Sequence, residues 1–175
     1  MYPLFSLSRL KLEEKIFVID GNDLRLSSSE IVVLNQKLGG APLTADKLSG
    51  LLEQTEGWFV GVKLALLAYS QSGDVALNTF NGSQPELVNY FGHEVLKNIS
   101  PEWRHFVLST ALFERFNVGL CEQVLGIEEC ISILENVVAR ELFLVPMPFT
   151  DGYYRYHPLL QAFLQRQLEL EHGKQ

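Results

Sequence analysis

The stretch "YYRYHPLL" at residues 153–160 contains His157, one of four histidines and the side-chain type with the widest chemical repertoire. An imidazole can donate, accept or ligate a metal, and it changes charge near neutral pH. Standing just before a proline that can open a helix, His157 has two readings from the residues alone. It caps and packs the helix start, or it donates to an anion such as a phosphate oxygen.

Other candidate chemistry fails on spacing. A phosphate-cradling loop needs G-x-x-x-x-G-K-[ST] between a strand and a helix, because its backbone N–H groups and lysine hold the phosphates. The nearest string, "GWFVGVK" at residues 57–63, has the wrong spacing and no terminal Ser or Thr. "HEVLK" at residues 93–97 begins like a zinc-protease helix, but Lys97 stands where the second histidine ligand must lie. Cys121 and Cys130 are the only cysteines and form no Cys-x-x-Cys pair, so they read as buried thiols in a reducing compartment. No Gly-x-Ser-x-Gly elbow is present to activate a serine. The expectation is a chain with no catalytic and no metal-binding residues.

These residues sit in 175 residues of ordinary globular composition, 47% hydrophobic and 20% charged, with a net charge of -7. An acidic balance opposes broad nucleic-acid or anionic-membrane binding, which is driven by Lys and Arg neutralising phosphates. No apolar run approaches the ~20 residues of a membrane span. The opening "MYPLFSLSRLKLEEK" lacks the uninterrupted apolar core of a signal peptide and reads as mid-structure, so a cytoplasmic piece of a longer protein is expected.

The elements that must position His157 follow from caps and periodicity. "KIFVID" (residues 15–20) reads as one strand, closed by the turn signal "DGND". "SSSE" (27–30) is a capping box that opens a helix running to about Lys37, with Gly39 and Gly40 stopping it. Thr44 caps a second helix ending near Thr55, and "WFVGVKLALLAY" (58–69) is apolar almost all round, as a helix buried on most sides would be. Pro85 opens a fourth helix with Leu87, Tyr90, Phe91, Val95 and Leu96 on one face; Ser100 and Pro101 open a fifth. Helices near 118–125 and 128–140, strands at "LFLVPM" and "YYRY", and a final helix complete a winged-helix order.

A winged helix often reads DNA. Here the helix in the recognition position, "EECISILENVVAR", carries Glu128, Glu129 and Glu135 against a lone Arg140, a surface that repels phosphate. A structural winged helix is therefore favoured.

At "TEGWFVGVKLALLA" (55–68), "ARELFLVPM" (139–147) and "YRYHPLLQAFL" (154–164), the chain resembles the MalT-like ATP-dependent LuxR-type transcriptional regulators, signal-transduction ATPases of the STAND class. "IFVIDGNDLRLSSSE" also looks like that family's exit from its nucleotide-binding domain. The resemblance implies a mostly α chain: residues 1–26 as the tail of the nucleotide-binding domain with one strand left from its α/β fold, 27–98 as a helical lid, and 99–175 as a winged-helix domain with a small hairpin. It further implies that the phosphate loop and the magnesium-binding acid lie upstream, and a sensor and DNA-binding helix-turn-helix downstream. ATP or ADP would then bind the parent protein, a slow ATPase, and not this piece alone. Its partners would be those flanking domains and other copies of the active parent, with DNA met only through a domain outside the chain and no membrane.

On this resemblance the chain is a nucleotide-state latch between ATPase core and sensor, with His157 matching the winged-helix histidine that reaches the nucleotide's β-phosphate in related proteins. Trp58 and Phe59 stand where the wider class has Gly-x-Pro near the adenine, and Phe59 replaces the usual proline. Both aromatics also read as core. Arg25 and Arg155 lie near the two junctions with no role assigned by the sequence. The alternatives are a free-standing winged-helix DNA-binding protein and a helical protein-interaction module without nucleotide.

Overall fold

The computed structural model describes residues 7–17, 19, 21–97, 99–126, 130–139, 143–147, 150 and 152–172. Several of its helices start where a side-chain oxygen satisfies an orphan N–H group of the first turn. Helix α1 spans Leu7–Leu12. Helix α2, Ser28–Lys37, has the expected reciprocal capping box: Ser27 N–H donates to Glu30 Oε2 at 2.8 Å, while Ser27 Oγ accepts from Glu30 N–H at 3.4 Å. Thr44 caps α3, Ala45–Thr55. Helix α4 is Phe59–Ser72, and a short α5, Asp74–Thr79, follows across Gly73 at φ +62°. Pro85 stands in the first turn of α6, Pro85–Phe91, which continues as a π turn over Gly92–Leu96. Ser100 caps α7, Pro101–Thr110, and Asn117 caps α8, Val118–Leu125. Each such cap contributes about 1 kcal/mol to its helix.

Helix α9 is Cys130–Ala139, followed by β1, Leu144–Pro146, β2, Tyr154–Tyr156, and α10, Pro158–His172. The two strands form an antiparallel hairpin with Leu144 opposite Tyr156, Val145 opposite Arg155 and Pro146 opposite Tyr154. On its other edge Tyr154 exchanges backbone hydrogen bonds with Phe116, at 2.9 and 2.8 Å. Side chains alternate along a strand, so Tyr156 goes into the core while Arg155 turns to the opposite face. Tyr156 lies against Phe116, ring centroids 5.3 Å apart, and its hydroxyl is 2.8 Å from Thr110 Oγ1. The fold is thus a helical bundle followed by a winged-helix arrangement, as the caps and periodicity predict.

The first helices and the winged-helix part share one core. Helix α10 packs on α7 and also on α3 and α6. Phe91 meets Phe163 at 5.4 Å between ring centroids, and both are buried. Gly82, in the turn between α5 and α6, lies directly on the α10 backbone, where an added Cβ would overlap Leu159 O and stand 2.6 Å from Phe163 N. Only glycine fits that approach. Among the described residues no helix is long and apolar enough to cross a membrane.

Several expectations need correction. Residues 15–17 and 19 are not in a strand, and Phe17 and Ile19 are 87% and 61% exposed. A strand exists by pairing, and among the described residues none runs beside this segment; Val18 and Asp20 lie outside them. Helices α1 and α5 are too short to show a period of their own in the sequence, and the helix expected from Pro85 does run on to Leu96 but turns to π geometry over Gly92–Leu96. Helix α4 is buried along one stripe only, through Val62, Ala65, Leu66 and Tyr69, while Phe59 stays 46% exposed. Of the expected helix at 128–140, residues 128, 129 and 140 lie outside the described set; its described part, Cys130–Ala139, carries no Lys or Arg.

Candidate functional site

The strings "TEGW" and "YRYH", which stand about a hundred residues apart, meet face to face. Helix α3 ends at Thr55, whose Oγ1 donates to Leu51 O at 2.7 Å and accepts from Gly57 N–H at 3.3 Å. Glu56 and Gly57 then take left-handed backbone in succession, φ +47° and +74°. Gly57 needs that freedom and the missing side chain, because a Cβ there would stand 2.6 Å from the Leu26 carbonyl oxygen. The close approach lets Leu26 N–H donate to Gly57 O at 2.8 Å, which ties the segment before α2 to the end of α3.

The reversal leaves the Thr55 carbonyl facing the wing. It accepts from Trp58 N–H and from His157 Nε2, both at 2.8 Å. On the other side of the imidazole, Nδ1 accepts from Leu159 N–H at 3.3 Å, capping α10. A neutral ring protonated on Nε2 satisfies both contacts. His157 is 4% exposed. Burial holds its pKa below the ordinary histidine value, with the Thr55 contact and the Glu56 charge pulling the other way.

Glu56 carries the second link. Its Oε2 accepts from Arg25 Nη1 at 2.9 Å and its Oε1 from Arg155 Nη1 at 2.5 Å. One carboxylate therefore joins the segment before α2, the end of α3 and strand β2. Burial alone would raise the Glu56 pKa, but the hydrogen bonds from Arg155 and Arg25 outweigh it and hold the carboxyl below its ordinary range.

Of the residues singled out in the sequence, Trp58 and His157 come together, with ring centroids 5.9 Å apart. Trp58 also meets Phe143 at 5.0 Å edge to face, Tyr90 at 5.5 Å and Phe91 at 5.8 Å. Phe59 does not join them. It turns into a shallow groove of about 270 Å³ lined with Leu26, Val33 and Leu34, with Lys63 6.0 Å from its ring centre. Sequence reasoning missed Thr55 and Glu56 and left Arg25 and Arg155 unassigned. The available signal was Glu56 itself, an acid at a helix C-terminus where the dipole disfavours one.

The remaining candidates stand apart from this junction. Cys121 and Cys130 are free and buried; burial, with Cys130 and Glu122 nearby, pushes the Cys121 thiol up to about 12. Among the described residues no three His, Cys, Asp or Glu side chains gather as a metal site.

Comparison with known proteins agrees with this architecture. Residues 92–175 match the family described as the MalT winged helix domain, a match that begins in the π turn. The chain is 29% identical over 165 residues to the serine/threonine-protein kinase PknK of Mycobacterium tuberculosis, covering 93% of this chain and 15% of that protein. It is 27% identical over 173 residues to the HTH-type transcriptional regulator MalT of Klebsiella pneumoniae, covering 97% of this chain and 19% of the regulator. The chain therefore spans less than a fifth of the length of either relative. With a hairpin wing and this match, the chain is MalT-like, and its residues 92–175 are similar to the MalT winged helix domain.

Proposed function

We propose that this chain works inside a longer, inducible transcription regulator as the latch that couples nucleotide state to domain arrangement. Residues 27–98 are the lid and 99–175 the winged helix in this reading. The parent protein binds ATP or ADP and hydrolyses ATP slowly through a nucleotide-binding domain upstream; a sensor domain lies downstream. The chain itself catalyses nothing, and DNA is met by a separate domain of the parent.

The observation that carries the reading is the His157 contact with Thr55. A helix-capping histidine on the wing spends its outward nitrogen on a lid carbonyl, so its bonding depends on whether lid and wing are closed. A ligand shifts such an equilibrium only by its difference in affinity for the two arrangements. An imidazole N–H that leaves Thr55 can donate instead to a nucleotide phosphate oxygen, and Trp58 beside it offers a flat apolar face to a base. Phe59, turned away from this junction, is the weaker part of the adenine assignment.

The test is ADP affinity of the parent protein by calorimetry, wild type beside His157→Ala, with thermal melting to check folding. Loss of ADP binding in a variant that still melts cooperatively supports the latch. Unchanged affinity returns His157 to packing alone. The rival reading of a DNA-binding winged helix has little support from α9, whose described residues offer no cation to a phosphate backbone.

A further inference from the structure

Three features of Glu56 work against its own local stability. It is a non-glycine residue in left-handed backbone, a conformation its Cβ disfavours. It places a carboxylate at the C-terminal end of α3, where the helix dipole is negative. Its side chain is also largely withdrawn from water, at 14% exposure. Residues that break local rules in this way are kept for what they do in the tertiary structure. Here the carboxylate sits between two guanidiniums, one on each of its oxygens.

Two arginines against one carboxylate leave the cluster with one surplus positive charge in a chain of net charge -7. The arginine side chains stay 35% and 31% exposed, within reach of a solute. Guanidiniums converging on a shared oxygen pair are the arrangement that also suits a phosphate group, which brings more charge and more acceptor oxygens than a carboxylate.

We infer that Arg25 and Arg155 form a clamp for a phosphate-class anion, and that Glu56 occupies this clamp from within. An anion entering from outside competes with the Glu56 carboxylate. When it takes Arg155 it removes the ion pair that holds strand β2 to the end of α3. That consequence for lid and wing rests on the closure reading above; the anion site itself does not.

The probe is pyrophosphate, titrated calorimetrically into this chain as wild type, Glu56→Gln and the double variant Glu56→Gln/Arg155→Gln. The expected result is at least ten-fold tighter binding by Glu56→Gln than by wild type, with the gain abolished in the double variant. No gain, or a gain that survives loss of Arg155, overturns the clamp. Glu56→Asp, too short to span both guanidiniums, serves if Glu56→Gln fails to melt cooperatively, and is expected to bind pyrophosphate severalfold tighter than wild type; unchanged affinity would count against the clamp. ADP titrated in parallel identifies the source of the phosphate: tighter binding than pyrophosphate assigns a nucleotide, equal binding a free phosphate anion, and the clamp stands in both. Unchanged ADP affinity of the His157→Ala parent would sink the latch and leave this clamp intact.

Discussion

The Nε2 atom of His157 lies 2.8 Å from the carbonyl oxygen of Thr55, 102 residues earlier in the chain. A single buried ring thereby caps α10 and bonds the last residue of α3. That double use makes the position sensitive to substitution and to pH.

Replacing His157 with Ala leaves the Thr55 carbonyl with only its Trp58 partner, removes the α10 cap and opens a cavity beside Trp58. The expected loss of stability is about 2–4 kcal/mol, read from urea unfolding of this chain. A loss under about 0.5 kcal/mol would mean that the ring is not holding α3 to α10.

The same ring predicts an acid limb in stability. The His157 pKa is depressed in the folded state, so the unfolded chain binds the proton first. Stability from this site is complete above the unfolded value of about 6.5 and falls as pH drops below it, towards the folded value. Glu56, also depressed, adds a second loss as pH falls below the unfolded carboxylate value of about 4.3. Melting temperature should therefore decline between pH 7 and 5 in wild type and decline less in His157→Gln, which has no imidazole to titrate. Parallel curves for the two proteins would rule this out.

Gly82→Ala probes the contact between the α5–α6 turn and α10 without touching a charged group. The added methyl overlaps the backbone of α10, which cannot move aside as a flexible side chain would. Destabilisation of about 1–3 kcal/mol is expected. Gly73→Ala, where nothing lies within 4 Å of an added Cβ, should cost only its backbone strain at φ +62°. Equal melting temperatures for Gly82→Ala and wild type would show that the turn does not press on α10.

Within the wing, Thr110→Val strips the Tyr156 hydroxyl of its Thr110 Oγ1 partner while keeping the side-chain shape. Tyr156 is 2% exposed, and burial drives its phenol pKa well above the ordinary value. An unpaired buried hydroxyl costs about 1–3 kcal/mol. Denaturant titration should show that loss, and a Thr110→Val/Tyr156→Phe double variant should recover part of it.

What the sequence determined by itself is the local framework. Ser27 and Glu30, Thr44, Ser100 with Pro101, and Pro85 all mark helix starts through atoms within three or four residues of one another, so no distant partner is needed to read them. The tyrosines flanking Arg155 likewise announce a strand whose alternate side chains face opposite ways. The tertiary structure decided everything that needs a neighbour from elsewhere. Residues 15–17 have the composition of a strand but no described strand beside them, and Phe59, apolar as any core residue, faces a shallow groove rather than the aromatic cluster that takes Trp58. The junction is the clearest case: Arg25 and Arg155 reach Glu56 across 31 and 99 residues. The Leu26–Gly57 hydrogen bond brings Arg25 to that carboxylate and the packing of α10 against α3 brings Arg155, because side chains so far apart in sequence interact only when the folded chain pays their ordering entropy together.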